Sequence, residues 1–289
     1  MEHLALGLVW LLGMLASVSP KCQRGLIMEE LDMAPNSFDD QYLGCSEMME
    51  EELKELNRTE FQTNSIYAAA WKAATAQWQK KKLHTLVLKP AQAIAVMAYT
   101  LDKPPLYLYF NAAVRQAGRS PEAYLHNFPF KAMHFLLTGA LRALRKPHRC
   151  YIVYRGVKNT FTAQPGDTVR FGQFASTSLD KKCAEWFGMG TIFSVETCYG
   201  VPIEDFSKFA GEQEVLIPPF ETFEVTSVSH KGNSASIELR SQGVHSNYNC
   251  ELVREKQCKD QPCDFSAGQS VSRDPLWGFI LAATALATV

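Results

Sequence analysis

Near Lys146 the hydrophobic pattern of this 289-residue chain changes period, and few folds tolerate such a change. From about Ser46 to Lys146 the spacing is helical. Ser65 to Lys82 is rich in Ala, Lys and Gln, with Tyr67, Trp71 and Trp78 on one face. Lys131 to Arg145 places Met133, Leu137, Ala140 and Leu144 on one stripe, with Pro129 near its start and basic residues in its last turn. Beyond Lys146 come short β-branched and aromatic runs: Tyr151 to Tyr154, Thr168 to Phe174, Thr191 to Thr197, Glu214 to Ile217, Thr222 to Val228 and Ala235 to Leu239. Gly, Pro, Asp and Asn separate them. Asp180 to Phe187 reads as a short helix capped by Asp180. Helices followed by strand after strand predict an α+β domain rather than alternating β-α-β units.

Both ends are apolar. Leu4 to Ala16 has the length and small-residue ending of a secretory signal, placing the cut between about residues 17 and 25; a buried N-terminal helix is the alternative. Leu276 to Val289 is fourteen residues without a charge, short of the roughly 20 needed to span a bilayer. The small residues Ser266, Ala267 and Gly268 and the polar spacer Gln269 to Asp274 precede it, in the order of a GPI-attachment signal. A C-terminal core helix is the competing reading. The expected organisation is a signal over 1–22, one folded domain over 23–265 and a removable attachment signal over 266–289. On the secretory route the eight cysteines are disulfide candidates. No CxxC or HExxH occurs, so no metal is expected. Asn57-Arg58-Thr59 is a glycosylation sequon. With 29 basic against 30 acidic residues there is no sequence-wide basic field, so nucleic acid is not an expected partner.

Three groups of residues could carry chemistry. Glu212-Gln213-Glu214 sits at the edge of an expected strand, where i and i+2 share a face and like charges push one pKa upward. A solvated strand face is the plain alternative. Arg155 could fork onto phosphate oxygens, with Gly156 allowing close backbone approach to a ligand; a structural ion pair is the alternative. Ser176-Thr177-Ser178 offers hydroxyls to a carboxylate or sugar, or caps a turn. No GxSxG elbow occurs, and Gly188-Met189-Gly190 lacks the third glycine of a dinucleotide fingerprint. His134 reads as a satisfied core histidine.

Arg155, then Phe174-Ala175-Ser176-Thr177-Ser178, then Glu212-Gln213-Glu214 resembles the Arg-Ser-Glu signature of the vertebrate arginine-specific mono-ADP-ribosyltransferases. Ala34 to Tyr42, Arg170 to Phe174, Glu214 to Pro219 and Asn247 to Cys250 extend the likeness from about residue 30 to residue 252. The resemblance implies N-terminal helices packed on a core of two antiparallel sheets, with NAD, or NADP in its place, as substrate in the cleft between them. It implies that Arg155 binds near the phosphates and that Ser176 helps place the catalytic Glu214. Glu214 itself would hold the ribose 2′-hydroxyl and stabilise the oxocarbenium-like centre, while Glu212 handles the arginine acceptor. Tyr99, Gln173 and Ser207 would lie near NAD, and Trp186 would stack on nicotinamide. Cys45 would pair with Cys250 and Cys150 with Cys198. The partners implied are arginine-bearing proteins, met by a monomer held on the outer face of the plasma membrane by a GPI anchor, or secreted or held in a granule lumen. Two rivals remain: an NAD glycohydrolase, disfavoured by the presence of Glu212, and an adhesion protein that keeps the fold without activity.

Overall fold

The computed structural model describes residues 28–81 and 87–257. Both apolar ends, Cys22, Cys258 and Cys263 lie outside the described residues.

Among the described residues six helices follow one three-residue strand: α1 (Ser46–Thr63), α2 (Ser65–Lys81), α3 (Pro90–Tyr99), α4 (Leu106–Ala117), α5 (Pro121–Asn127) and α6 (Lys131–Leu144). The second and sixth match the helical spacing in the sequence to within a residue at each end. Asn64 separates α1 from α2, its side-chain oxygen accepting the Tyr67 amide at 3.1 Å. The start of α6 is capped from a distance: Glu60 of α1 accepts the amides of Lys131 (2.6 Å) and Ala132 (3.1 Å). Its carboxyl is pushed up to about 7 by burial. His134 is fully buried, its Nε2 donating to the Phe38 carbonyl (3.2 Å) and its Nδ1 accepting from the Tyr42 hydroxyl (2.8 Å). Burial lowers its pKa to about 3, so it stays neutral. It is the core histidine the sequence suggested.

The strands are β1 (Met28–Glu30), β2 (Tyr151–Val157), β3 (Thr160–Thr162), β4 (Thr168–Val169), β5 (Ala175–Ser178), β6 (Thr191–Thr197), β7 (Val201–Pro202), β8 (Glu214–Ile217), β9 (Glu221–Lys231) and β10 (Ser234–Val244). Strands β1 and β3 form a small parallel pair, and the other eight run in the order β4-β9-β10-β6-β2-β5-β8-β7. The α+β class is as expected, with two differences in detail. The β6–β10 pair is parallel, so the sheet is not wholly antiparallel. The five-stranded and three-stranded halves are also joined by one residue pair, Tyr154 with Ser178, where β2 meets β5. Beyond that bridge the two strands part. One apolar core packs the helices on Phe174, Val201 and Leu216; another spans both halves of the sheet, with Val153, Phe193, Phe223 and Ile237 from one and Ala175, Val215 and Ile217 from the other. The run expected as one strand from Thr168 to Phe174 stops at Val169, because Gly172 takes a positive φ of 61° and Arg170 turns inward.

Arg170 is 2 % exposed. It donates to Asp39 Oδ2 (2.6 Å) and to the carbonyls of His245 (2.8 Å), Met33 (2.8 Å) and Ala34 (3.2 Å). Asp39 in turn accepts the amides of Asn247 (2.9 Å) and Tyr248 (3.0 Å). Asp40 accepts those of Tyr42, Cys250 and Glu251, the last opening α8 (Glu251–Gln257). Two neighbouring carboxylates thereby bind the irregular segment after β1 to the end of the domain. The Cys45–Cys250 disulfide closes the same junction, and Cys150–Cys198 joins the chain just before β2 to the chain just after β6. Both pairings are those the resemblance implied. Replacing Asp39 by Ala strands a buried guanidinium, and equilibrium urea unfolding is expected to show a loss of about 3–5 kcal/mol; a loss under about 1 kcal/mol would mean that the pair is not structural.

Candidate active site

Where β2 and β5 part, a cleft of about 1010 Å³ opens, with Arg155 on one wall and Ser176, Glu212 and Glu214 on the other. Arg155 is half-buried, and its Nη1 donates to the Ser176 carbonyl at 2.7 Å, bridging the gap left by the missing ladder. The start of β5 is held from the helical layer. The Tyr99 hydroxyl and the Asn111 side-chain amide both donate to the Phe174 carbonyl, at 2.8 and 3.0 Å. Along β5 the hydroxyls divide by face. Thr177 is buried and donates to the Val215 carbonyl (2.6 Å), whereas Ser178 donates to the Glu212 carbonyl (2.7 Å). The serine cluster therefore fastens the backbone on both sides of Gln213.

Glu212 and Glu214 share the cleft, but not by strand pleating. Glu212 ends a 3₁₀ turn (Ala210–Glu212), Gln213 is left-handed at φ 47°, and only Glu214 opens β8. A turn brings the carboxylates together, which corrects the extended geometry expected from the spacing. Glu214 is 6 % exposed, and burial is the main reason its carboxyl is pushed up to about 7. Hydrogen bonds from Ser176 and Ser207 and the charge of Arg155 oppose that shift, and the charge of Glu212 adds to it. Desolvation thus outweighs the like-charge effect anticipated from sequence. Glu212 is shifted upward too, again by burial.

The remaining expected residues divide. Tyr99 and Gln173 line the cleft. Ser207 is fully buried outside the lining; its hydroxyl donates to Glu214 Oε2 (3.4 Å) and accepts the Phe209 amide (3.1 Å), so it holds the carboxylate. Trp186 is 90 % exposed and is not on the cleft wall; its neighbour Phe187 is. Both sit on α7 (Lys181–Phe187), capped by Asp180 as expected; the helix buries Ala184 and leaves both aromatics exposed, Phe187 at the rim of the cleft. Gly156 lines the cleft and has a packing purpose as well. A Cβ there would lie 2.2 Å from the Ala184 carbonyl and 2.4 Å from that of Gly188, so this cleft-lining glycine permits the close approach of α7. Asn111, Arg115, Cys183 and Phe209 line the cleft as well, and the sequence reading missed them. Asn111 and Arg115 stand four residues apart on α4, a same-face spacing that was the available signal. Among the described residues one group, Cys150, Glu196 and Cys198, converges as metal ligands could, but its sulfurs are spent in the disulfide.

A guanidinium facing a buried, ionisable carboxylate across a deep cleft defines the site of a protein that binds a substrate with an anionic body and a centre that becomes cationic. That is the requirement of glycosyl transfer from a dinucleotide. A sequence profile of the NAD:arginine ADP-ribosyltransferases matches residues 31–247. The chain is 54% identical to the erythroblast NAD(P)(+)–arginine ADP-ribosyltransferase of Gallus gallus over 93% of this chain and 91% of that one. It is 44% identical to the GPI-linked NAD(P)(+)–arginine ADP-ribosyltransferase 1 of Homo sapiens over 92% and 88%. The crystal structure of the eukaryotic mono-ADP-ribosyltransferase ART2.2 superposes with a TM-score of 0.69 at 37% identity, covering 77% of this chain and 98% of that one. An ART2.2 variant in complex with NADH superposes at 0.68. The chain belongs to the NAD:arginine ADP-ribosyltransferase family.

The elevated Glu214 pKa has a consequence for stability. A carboxyl whose folded pKa lies above its usual 4.5 costs stability progressively as pH rises from about 4.5 to 7, and fully above that. Glu214→Gln is therefore expected to melt roughly 5 °C above wild type at pH 8, with the difference closing by pH 5. A difference independent of pH would contradict the assignment.

Proposed function

We propose that the cleft binds NAD and transfers its ADP-ribose to arginine side chains of acceptor proteins, releasing nicotinamide. The observation that carries this is Glu214, a buried carboxyl poised near neutrality and held, among the described residues, by the hydroxyls of Ser176 and Ser207, on the wall facing Arg155. Arg155 takes the pyrophosphate, with its charge undiluted by any paired carboxylate among the described residues. The bond between the ribose C1′ and the nicotinamide nitrogen breaks, and its electron pair neutralises the pyridinium. The ribose is left as an oxocarbenium-like centre. Glu214, ionised, accepts the ribose 2′-hydroxyl and stabilises that centre, with Ser176 and Ser207 fixing its rotamer. The acceptor guanidinium attacks C1′ and passes a proton to Glu212, whose partly buried carboxylate also orients it. Tyr99 holds the strand that carries Ser176, and Gln173 contributes to the wall on the Arg115 side, its Oε1 accepting from that guanidinium.

Several finer features follow from the same reading. The avian and human relatives are named for NAD(P), so NADP is an alternative donor. The human relative is GPI-linked, which supports the C-terminal run 266–289 as an attachment signal and the outer face of the plasma membrane as the site of action; a secreted or granule-lumen form is the alternative. Asn57 lies on α1 with its Oδ1 accepting from the Tyr67 hydroxyl at 3.0 Å, a bond that leaves Nδ2, the atom an N-glycan occupies, unused. The enzyme acts as a monomer without a metal.

The test uses labelled NAD with agmatine as acceptor. Wild type should label agmatine, Glu212→Gln should hydrolyse NAD while transferring little, and Glu214→Gln should lose both activities by about 10²- to 10³-fold or more. A wild type that leaves NAD intact would contradict the proposal and favour an inactive surface protein of the same fold.

A further inference from the structure

At the end of β2 away from the cleft, four basic side chains fall within five residues: Arg145, Lys146, His148 and Arg149. Strand β2 begins two residues later, at Tyr151, so this cluster and Arg155 stand about 13 Å or more apart along the strand. The cluster belongs to no part of the transfer site.

Its geometry is fixed rather than loose. The Arg149 amide donates to the Lys146 carbonyl at 3.3 Å, closing a tight turn with Pro147 at its second position and His148 in the left-handed region at φ 60°. Such a turn holds Lys146 and Arg149 with Cα atoms within about 7 Å of each other. The Cys150–Cys198 disulfide follows immediately and clamps the turn to the end of β6. On either side a guanidinium lies over a tyrosine ring: Arg145 over Tyr199 at 3.6 Å and Arg149 over Tyr151 at 5.0 Å. Arg145 is further held by its Nε donating to the Cys198 carbonyl at 3.1 Å. Stacking restricts these planes and leaves their outer N–H edges for an anion.

Nearby acidic groups do not neutralise the cluster. Glu196, beside the disulfide, makes no ion pair with the cluster among the described residues. Glu221, beneath Tyr199, is fully buried and spends its oxygens on Thr197, Ser241 and the amides of Cys198 and Tyr199. Among the described residues, none of Arg145, Lys146 and Arg149 forms an ion pair. The chain as a whole is nearly neutral at −1, so this is a local field rather than a general one.

The geometry points to a docking site for a sulfated polysaccharide of the heparin type, recognised by the rigid turn Lys146–Arg149 and the stacked Arg145. The disulfide inside the cluster chooses among polyanions. A face that carries a Cys–Cys bond belongs to an oxidising compartment, where sulfated glycans are the abundant polyanions and nucleic acid is not. Binding there would hold the enzyme in a glycan-rich layer while leaving the cleft open at the other end of β2.

The experiment is chromatography of the folded protein on immobilised heparin with a salt gradient, with heparin octasaccharide titration for affinity. Wild type should be retained at about 0.15 M salt. Lys146→Ala/Arg149→Ala should pass through and bind the octasaccharide about thirtyfold more weakly, the loss expected for two cations on an anionic surface. Its melting temperature and agmatine labelling should match wild type, and the control Lys54→Ala/Lys72→Ala should be retained normally. Desulfated heparin should bind neither. The proposal is overturned if wild type is not retained, if the double variant elutes with it, if desulfation makes no difference, or if phosphatidylserine vesicles or duplex DNA bind more tightly than heparin.

Discussion

A carboxylate can be taken out of water only where donors replace the water, and the kind of donor decides what the carboxylate is for. Among the described residues six such groups are buried: Asp39, Asp40, Glu60, Glu221, Glu251 and Glu214. Each of the first four accepts at least two backbone amides, and Asp39 adds the Arg170 guanidinium. Those amides cannot leave without unmaking a loop or a helix end, so these carboxylates are structural fasteners. Glu214 differs. Its partners are the hydroxyls of Ser176 and Ser207, which can rotate, and no backbone amide is bound to it among the described residues. Burial raises the pKa of Asp40, Glu60, Glu221 and Glu214 alike, and of these four Glu214 alone can exchange its partners for a substrate.

The cleft depends on an unmade ladder. Strands β2 and β5 share one bridge, Tyr154 with Ser178, and the backbone groups beyond it are served instead by side chains: Arg155 on the Ser176 carbonyl, Tyr99 and Asn111 on that of Phe174. The helical layer therefore positions the site as well as covering the core. Gly156 lets α7 lie against β2 at a spacing no other residue would permit, which brings Phe187 to the cleft. Asp39 and Arg170, the latter itself a lining residue, lock the far end of this arrangement to both ends of the domain.

How much of this could be read from the sequence follows from length and periodicity. Helices α2 and α6, and strands β6 and β8, carry patterns long or uniform enough to survive tertiary context, and they fall where the pattern put them. Strands β1, β3, β5 and β7 are two to four residues long, and β5 is largely hydroxyl-bearing, so neither alternation nor apolarity marked them. The Glu212–Glu214 pair was found for a partly mistaken reason: the spacing was right, but a left-handed Gln213 supplies the shared direction. Trp186 is 90 % exposed, because on this seven-residue helix Ala184 takes the buried face and the adjacent Phe187, itself largely exposed, borders the cleft. Asn111 and Arg115 were invisible because an i, i+4 polar pair on a helix is ordinary until a cleft is known to pass beside it.

If the parting of β2 and β5 is the dinucleotide site, Glu214 faces the bond to be broken. A crystal structure of the Glu214→Gln variant with intact NAD tests it directly. The dinucleotide is expected between the two strands, with its pyrophosphate on the Arg155 guanidinium and its nicotinamide ribose against position 214. A dinucleotide bound elsewhere, or one whose ribose lies out of reach of position 214, would contradict it.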